Sequence, residues 1–220
     1  MDGYLSNWFQ DANNNGYIDD DNDHYYLYAG MRRGGRNYYA LDVTAKDAPE
    51  LLWTIQGGTG DFVELGQSWS ELVHGKMRHP DTGTVTDVLV FSGGYDKAQD
   101  TTANGIPTDT GGAIFIVDAS TGALIWKAGP ADSSLDLPDM LYSIPATPTL
   151  VDVDLDGIVD QIYASDLGGQ IWRLDFPTHG EIRGGVVASL TDNGNGMFFT
   201  SPDVSVICLL YTSPSPRDRG

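Results

Sequence analysis

Ala113-Ile-Phe-Ile-Val-Asp118-Ala-Ser-Thr-Gly122-Ala-Leu-Ile-Trp126 is an apolar run closed by Asp, then a turn, then a second apolar run carrying Trp. Short runs of β-branched and aromatic residues suit strands, and Asp and Gly are turn formers. The same unit returns as Tyr38-Tyr-Ala-Leu-Asp42-Val-Thr44 followed by Leu51-Leu-Trp53-Thr-Ile55. A third version, Gly169-Gln-Ile-Trp-Arg-Leu-Asp175, keeps the Asp but moves the Trp onto the first strand. The closing Asp recurs after 76 and then 57 residues. Each unit follows another strand-like stretch, at His24–Gly30, Thr86–Gly93 and Gln161–Asp166. Before these come further candidates, Gly66–Lys76 and Ser143–Val151 being the clearest.

Antiparallel strands repeated at that interval have the rhythm of propeller blades enlarged by loops. The pattern predicts an all-β chain, a partial β-propeller of about three and a half four-stranded antiparallel blades. The blades fall at about 1–56, 66–127 and 143–190, with Met197–Val206 as the first strand of a fourth. A β-sandwich is the rival, but it leaves the repeated Asp–turn–Trp unit unexplained.

The 220 residues hold 12 Lys and Arg against 31 Asp and Glu, a net charge of −19. Such a surface repels nucleic acid and anionic membrane and suits divalent cations. An apolar content of 40% is ample for a packed core, and 27 Gly make the chain turn-dense. No apolar run is long enough to span a membrane. Cys208 is the only cysteine, so no disulfide framework is available. Cys208-Leu-Leu-Tyr-Thr-Ser-Pro-Ser-Pro-Arg-Asp218 resembles the in-frame translation of a sequencing-library adaptor. Residues 208–220 are therefore expected to be a non-native tail on a truncated fragment spanning 1–207.

Asp152-Val-Asp154-Leu-Asp156-Gly-Ile158-Val-Asp160 places an oxygen ligand at every second residue, as a short loop must to wrap calcium. Asp152, Asp154 and Asp156 offer carboxylates, Ile158 a backbone carbonyl, and Asp160 a further carboxylate. A second copy has Asp11, Asn13, Asn15, Tyr17 (through its carbonyl) and Asp19, with Gly16 at the same offset as Gly157. Asp, Asn and Gly are also ordinary turn residues. Two copies sharing the Gly offset and the closing Asp favour metal loops over plain turns. Neither has the position-12 Glu of an EF-hand, Tyr163 and Asn22 standing there. Hard oxygen ligands without Cys or His favour Ca2+ over zinc or copper. Four carboxylates at 152–160, against two plus two amides at 11–19, make the former the expected stronger site. Asp20, Asp21 and Asp23 add charge near the weaker one. Both loops are expected between the first and second strands of their blades, where blade 2 has only His79-Pro-Asp-Thr-Gly83.

No catalytic constellation emerges. Asp81-Thr-Gly-Thr84 and Asp109-Thr-Gly111 lack the apolar strand that precedes each aspartic-protease loop, and read as turns. His24, His74, His79 and His179 show no metal spacing, and neither a nucleophile elbow nor a P-loop is present.

Gly30-Met-Arg-Arg-Gly-Gly-Arg-Asn-Tyr-Tyr-Ala-Leu-Asp-Val-Thr44 resembles a strand-to-strand segment of the PilC/PilY family of type IV pilus tip and biogenesis proteins. So do Leu65-Gly-Gln-Ser-Trp-Ser70, Ile116-Val-Asp-Ala-Ser-Thr-Gly-Ala-Leu-Ile125 and the run from Pro148 to Asp175. The resemblance covers about residues 20–206. It implies a quinoprotein-like β-propeller from the C-terminal half of a larger exported protein, at the cell surface, the pilus tip or the outer membrane. It implies no enzyme but a role in pilus extension and retraction, twitching motility and adhesion. The implied partners are minor pilins at the pilus tip, and host-cell or abiotic surfaces bound through the missing part of the protein. It also implies that calcium at Asp152, Asp154, Asp156, Ile158 and Asp160 controls pilus function. The Arg-Gly-Asp motif of some members is absent. A pyrroloquinoline-quinone dehydrogenase shares blade repeats of this style, but its usual adjacent cysteines are absent. An integrin-like extracellular repeat protein shares the Asp-x-Asp-x-Asp-Gly loop without the Asp–turn–Trp unit.

Overall fold

The computed structural model describes residues 3–19, 22–101, 106–190 and 196–205. Among the described residues thirteen strands form three sheets in sequence order. Blade 1 holds β1 (Leu5–Gln10), β2 (His24–Gly30), β3 (Tyr38–Asp42) and β4 (Glu50–Ile55). Blade 2 holds β5 (Val73–Arg78), β6 (Val85–Ser92), β7 (Ile114–Asp118), β8 (Leu124–Gly129) and β9 (Leu135–Asp136). Blade 3 holds β10 (Thr149–Val151), β11 (Gln161–Ser165), β12 (Gln170–Asp175) and β13 (Arg183–Ser189). All pairings are antiparallel except β8 with β9, and the ring is not closed. Among the described residues no helix is long and apolar enough to cross a membrane.

The core lies between blades, which explains the strand patterns. Blade 2 is covered on both faces, so Val88–Phe91 and Ile114–Val117 are buried without interruption. Leu89, Phe91, Phe115 and Val117 pack with Tyr28, Tyr38, Ala40 and Trp53 of blade 1. Their strand neighbours Val88, Val90, Ile114, Ile116 and Trp126 pack with Ile162, Ala164, Trp172 and Leu174 of blade 3. Blade 1 alternates, with Tyr38 and Ala40 buried while Tyr39 and Leu41 remain part-exposed. Leu5, Leu27, Ala29, Tyr39, Leu41 and Leu51 line a shallow groove of about 330 Å³ on that second face. By strand register, Leu27, Ala29, Tyr39 and Leu41 match Leu89, Phe91, Phe115 and Val117.

The repeated unit is the joint between blades 1 and 2. Trp53 lies opposite Ala40, as Trp126 lies opposite Ile116, each beside a β-bulge. The Trp53 indole N–H donates to the Ala119 carbonyl at 3.2 Å, in the turn that follows Asp118. Gly122, at φ +70° in that turn, lies against the ring, and a Cβ there would stand 2.8 Å from Trp53 Cδ2. Gly122→Ala adds left-handed strain to this clash and should cost about 2 kcal/mol in urea unfolding. A loss under about 0.5 kcal/mol would mean that the Trp53 contact yields freely.

The expected place of Trp172 holds, and three other expectations are corrected. Trp172 lies on the third strand of blade 3, opposite Ala164 at the register of Phe115, and faces back toward blade 2. Period-2 alternation then puts Arg173 and Asp175 on the far face, ion-paired at 2.7 Å, with Gly185 where the tryptophan of blades 1 and 2 stands. The first strand of blade 2 is Val73–Arg78, not Gly66–Lys76. Gly66, Gln67 and Ser68 instead tie Gly93, Tyr95 and Gly35 together by backbone hydrogen bonds, with Leu65 and Leu72 buried at either end. Blade 2 gains β9 because the chain doubles back after Gly129, burying Leu137 and Met140. Met197–Ser205 forms no strand: Phe198 N–H donates to Asp166 O, while Thr200 O and Pro202 O accept from the Ser165 and Thr149 hydroxyls. Val206 and the 208–220 tail lie outside the described residues.

Candidate metal sites

Both predicted loops join the first and second strands of their blades, 11–19 between β1 and β2, and 152–160 between β10 and β11. Blade 2 closes the same connection with a tight turn, Gly83 N–H donating to the His79 carbonyl at 2.8 Å. The two long loops share one backbone path. Asn14 and Leu155 take φ of 56° and 64°, and Gly16 and Gly157 follow at 81° and 87°. Asn tolerates that region far better than Leu, so the exposed Leu155 is held there by its surroundings.

Those surroundings are the first Asp of each loop. Asp152 Oδ1 accepts from Leu155 and Asp156 N–H at 2.7 and 3.2 Å, and Oδ2 from Gly157 N–H at 2.7 Å. Asp11 repeats the pattern with Asn15 N–H at 3.2 Å and Gly16 N–H at 2.7 Å. Asp156 Oδ1 accepts from Ile158 N–H, and Asn15 Oδ1 from Tyr17 N–H, both at 2.8 Å. These bonds fix the side chains and turn each loop inward.

The loops differ in what converges. Asp152, Asp154 and Asp156 each bring an oxygen within 4.8 Å of the others. Two oxygens bound to one calcium at 2.3–2.6 Å lie at most about 5 Å apart, so the three carboxylates fit a single ion. Asp160 stands outside this cluster, its Oδ2 accepting from Val153 N–H at 2.7 Å. In the first loop the Asn13 and Asn15 amides turn their NH2 groups onto Asp19, at 3.1 Å and at 3.0 and 2.9 Å. That loop satisfies its closing carboxylate internally, and a cation there would have to turn those amides round.

Two residues outside the nine-residue loops join the sites, and the sequence signals only the first of them. Asp23, 1% exposed, accepts from Ala12 N–H and Asp19 N–H at 2.9 and 3.1 Å, so it braces the first loop. The signal was present, since Asp23 ends the run of acids after Asp19, but its burial was not. Asp20 and Asp21 lie outside the described residues. Arg78, the last residue of β5, places Nη2 3.7 Å from Asp156 Oδ2 across the seam between blades. Nothing near Asp156 in sequence announces it. Beside this pair a cleft of about 510 Å³ opens between blades 2 and 3, floored by Trp126, Phe176 and Ile182.

The three-sheet arrangement and its loops have a match among known proteins. The model of the PilY1 beta-propeller domain fits residues 11–194. The chain belongs to the PilY1 β-propeller family. Type IV pilus biogenesis factor PilY1 of Pseudomonas aeruginosa strain UCBPP-PA14 is 32% identical over 153 residues, covering 70% of this chain and 11% of the relative. The PilY1 homolog of Xylella fastidiosa strain Temecula1 is 27% identical over 157 residues, covering 68% and 10%. The crystal structure of the Pseudomonas aeruginosa PilY1 C-terminal domain superposes with a TM-score of 0.50 at 28% identity, covering 70% of this chain and 27% of that one. The chain thus spans about a tenth of the length of the curated PilY1 relatives that it matches.

Proposed function

We infer that this chain is a calcium-binding β-propeller module of a type IV pilus biogenesis and adhesion protein, acting at the cell surface or pilus tip. The observation that carries the reading is the convergence of Asp152, Asp154 and Asp156 on a loop that Asp152 itself folds. Ile158 supplies a carbonyl at position 7, and Asp160 closes the loop once its carboxylate turns inward. The loop at Asp11, Asn13, Asn15, Tyr17 and Asp19 is the weaker second site.

Bound calcium supplies charge neutralisation at the loop and no chemical step. Four carboxylates in nine residues repel one another, and relieving that repulsion orders the connection between β10 and β11. Extracellular modules of this kind bind at about 10⁻⁴–10⁻³ M. Calcium at ten times its dissociation constant then stabilises the loop by roughly 1.4 kcal/mol. That orders a surface loop without being needed to fold the sheets. The loop is thereby a switch whose state bears on pilus extension and retraction, twitching motility and surface attachment. Minor pilins at the pilus tip are the proposed partners, and adhesion to host or abiotic surfaces belongs to parts of the protein beyond this chain. Catalysis, including quinone-dependent dehydrogenation, is not part of the reading.

The test is made in the organism. Strains carrying Asp152→Ala or Asp160→Ala should show altered surface piliation or twitching while the protein is still produced and exported. Normal motility in a strain whose protein has demonstrably lost calcium at this loop would overturn the switch.

A further inference from the structure

We propose that Arg78 is a tethered counter-cation of the 152–160 loop, which an incoming cation displaces from Asp156, so that filling the loop releases Arg78 into the cleft between blades 2 and 3. The proposal rests on the calcium reading of that loop and adds the residue that sets its affinity and carries its state to a neighbouring blade.

Each part of the argument is geometric. Asp156 Oδ1 already accepts from Ile158 N–H at 2.8 Å, which leaves Oδ2 the more open of the two oxygens to an ion. Oδ2 is also the atom that Arg78 Nη2 faces at 3.7 Å. Guanidinium and cation therefore compete for one carboxylate. The arrangement is held from below, because Val159 N–H donates to the Lys76 carbonyl of β5 at 2.9 Å. That bond ties the end of the loop to the strand that carries Arg78, which keeps the guanidinium close whatever the loop contains. Among the described residues Arg78 makes the one salt bridge to this loop.

The first loop provides an internal contrast. Its fifth position is the neutral Asn15, and no salt bridge reaches Asp11 or Asp19 among the described residues. Arg78 has somewhere to go: its side chain is 38% exposed, and it lines the 510 Å³ cleft together with Asp81 and Glu181. Once displaced, it pairs with those carboxylates, so the charge lining the cleft changes with the state of the loop.

A unit charge a few ångströms from the ion, in mostly aqueous surroundings, shifts affinity by roughly threefold to tenfold. Arg78→Gln should therefore tighten calcium binding at the 152–160 loop by that factor in titration calorimetry, and the gain should shrink as salt rises. Arg78→Lys keeps the charge and should stay within about twofold of wild type. Neither change should move the second, weaker site. In the unsubstituted protein, the Arg78 Nε–H resonance should shift on adding calcium. Unchanged or weaker binding in Arg78→Gln, or an Arg78 resonance indifferent to calcium, would overturn the role given to Arg78. Absence of any calcium heat in the unsubstituted protein would instead remove the calcium reading itself, so the two failures are distinct. Circular dichroism of both variants checks that β5 is intact.

Discussion

Replacing Asp166 by Ala should lower the unfolding free energy by about 3–5 kcal/mol, the largest single loss expected outside the apolar core. Asp166 is fully buried at the end of β11. Its carboxylate accepts from Gly168 N–H and Gln170 N–H, each at 2.9 Å, and from the Trp172 indole at 2.8 Å. The first two bonds shape the turn into β12, and the third fixes the tryptophan that seals blade 3 against blade 2. Truncation leaves these donors without their acceptor in a dry site. Burial pushes the Asp166 pKa up, against the lowering effect of the same hydrogen bonds. Its native pKa thus exceeds the unfolded value, so its contribution is fully present in acid and declines as pH rises through the raised value. The loss on substitution should be greater near pH 4 than near pH 7. Urea unfolding of both proteins at the two pH values measures this. Equal losses would mean that Asp166 is ionised as readily inside the fold as outside it.

The second large effect is on binding. Asp152→Ala should weaken calcium at the 152–160 loop by a factor of about 100 or more, while leaving the β-sheet spectrum intact. Asp152 is both a proposed ligand and the acceptor that folds the loop through Leu155, Asp156 and Gly157. Those donors sit on exposed residues, so water replaces the carboxylate at little cost to global stability. Asp152→Asn separates the two roles, because it keeps an acceptor oxygen while removing the charge. It should retain more of the loop's order than Ala while still losing most of the affinity. A loss of sheet signal in either variant would show that the loop supports the blade and not the reverse.

What the sequence revealed follows from which signals are local. The Asp–turn–Trp unit marks strands three and four of blades 1 and 2, because a β-bulge and a tryptophan set opposite Ala40 or Ile116 are fixed by neighbours in the chain. The shared path of the two loops was legible for the same reason, every proposed ligand lying within nine residues. Trp172 falls on the strand that its place before Asp175 predicts, while the face it occupies, toward blade 2, is set by packing between blades. The 66–72 segment has strand composition, yet its backbone partners are Gly35, Gly93 and Tyr95, far along the chain. The short strand β9 and the unpaired course of 197–205 likewise depend on contacts that no periodicity encodes. Arg78 has no sequence signal since its partner belongs to another blade, and the bond from Val153 N–H to Asp160 is likewise set only by the folded loop.

Calcium titrated into chelator-treated protein is the most direct test of the central claim. The predicted result is heat from two sites, the tighter one lost in Asp152→Ala and retained in Asp19→Ala. Silence up to millimolar calcium, or heat that survives loss of both Asp11 and Asp152, would contradict it.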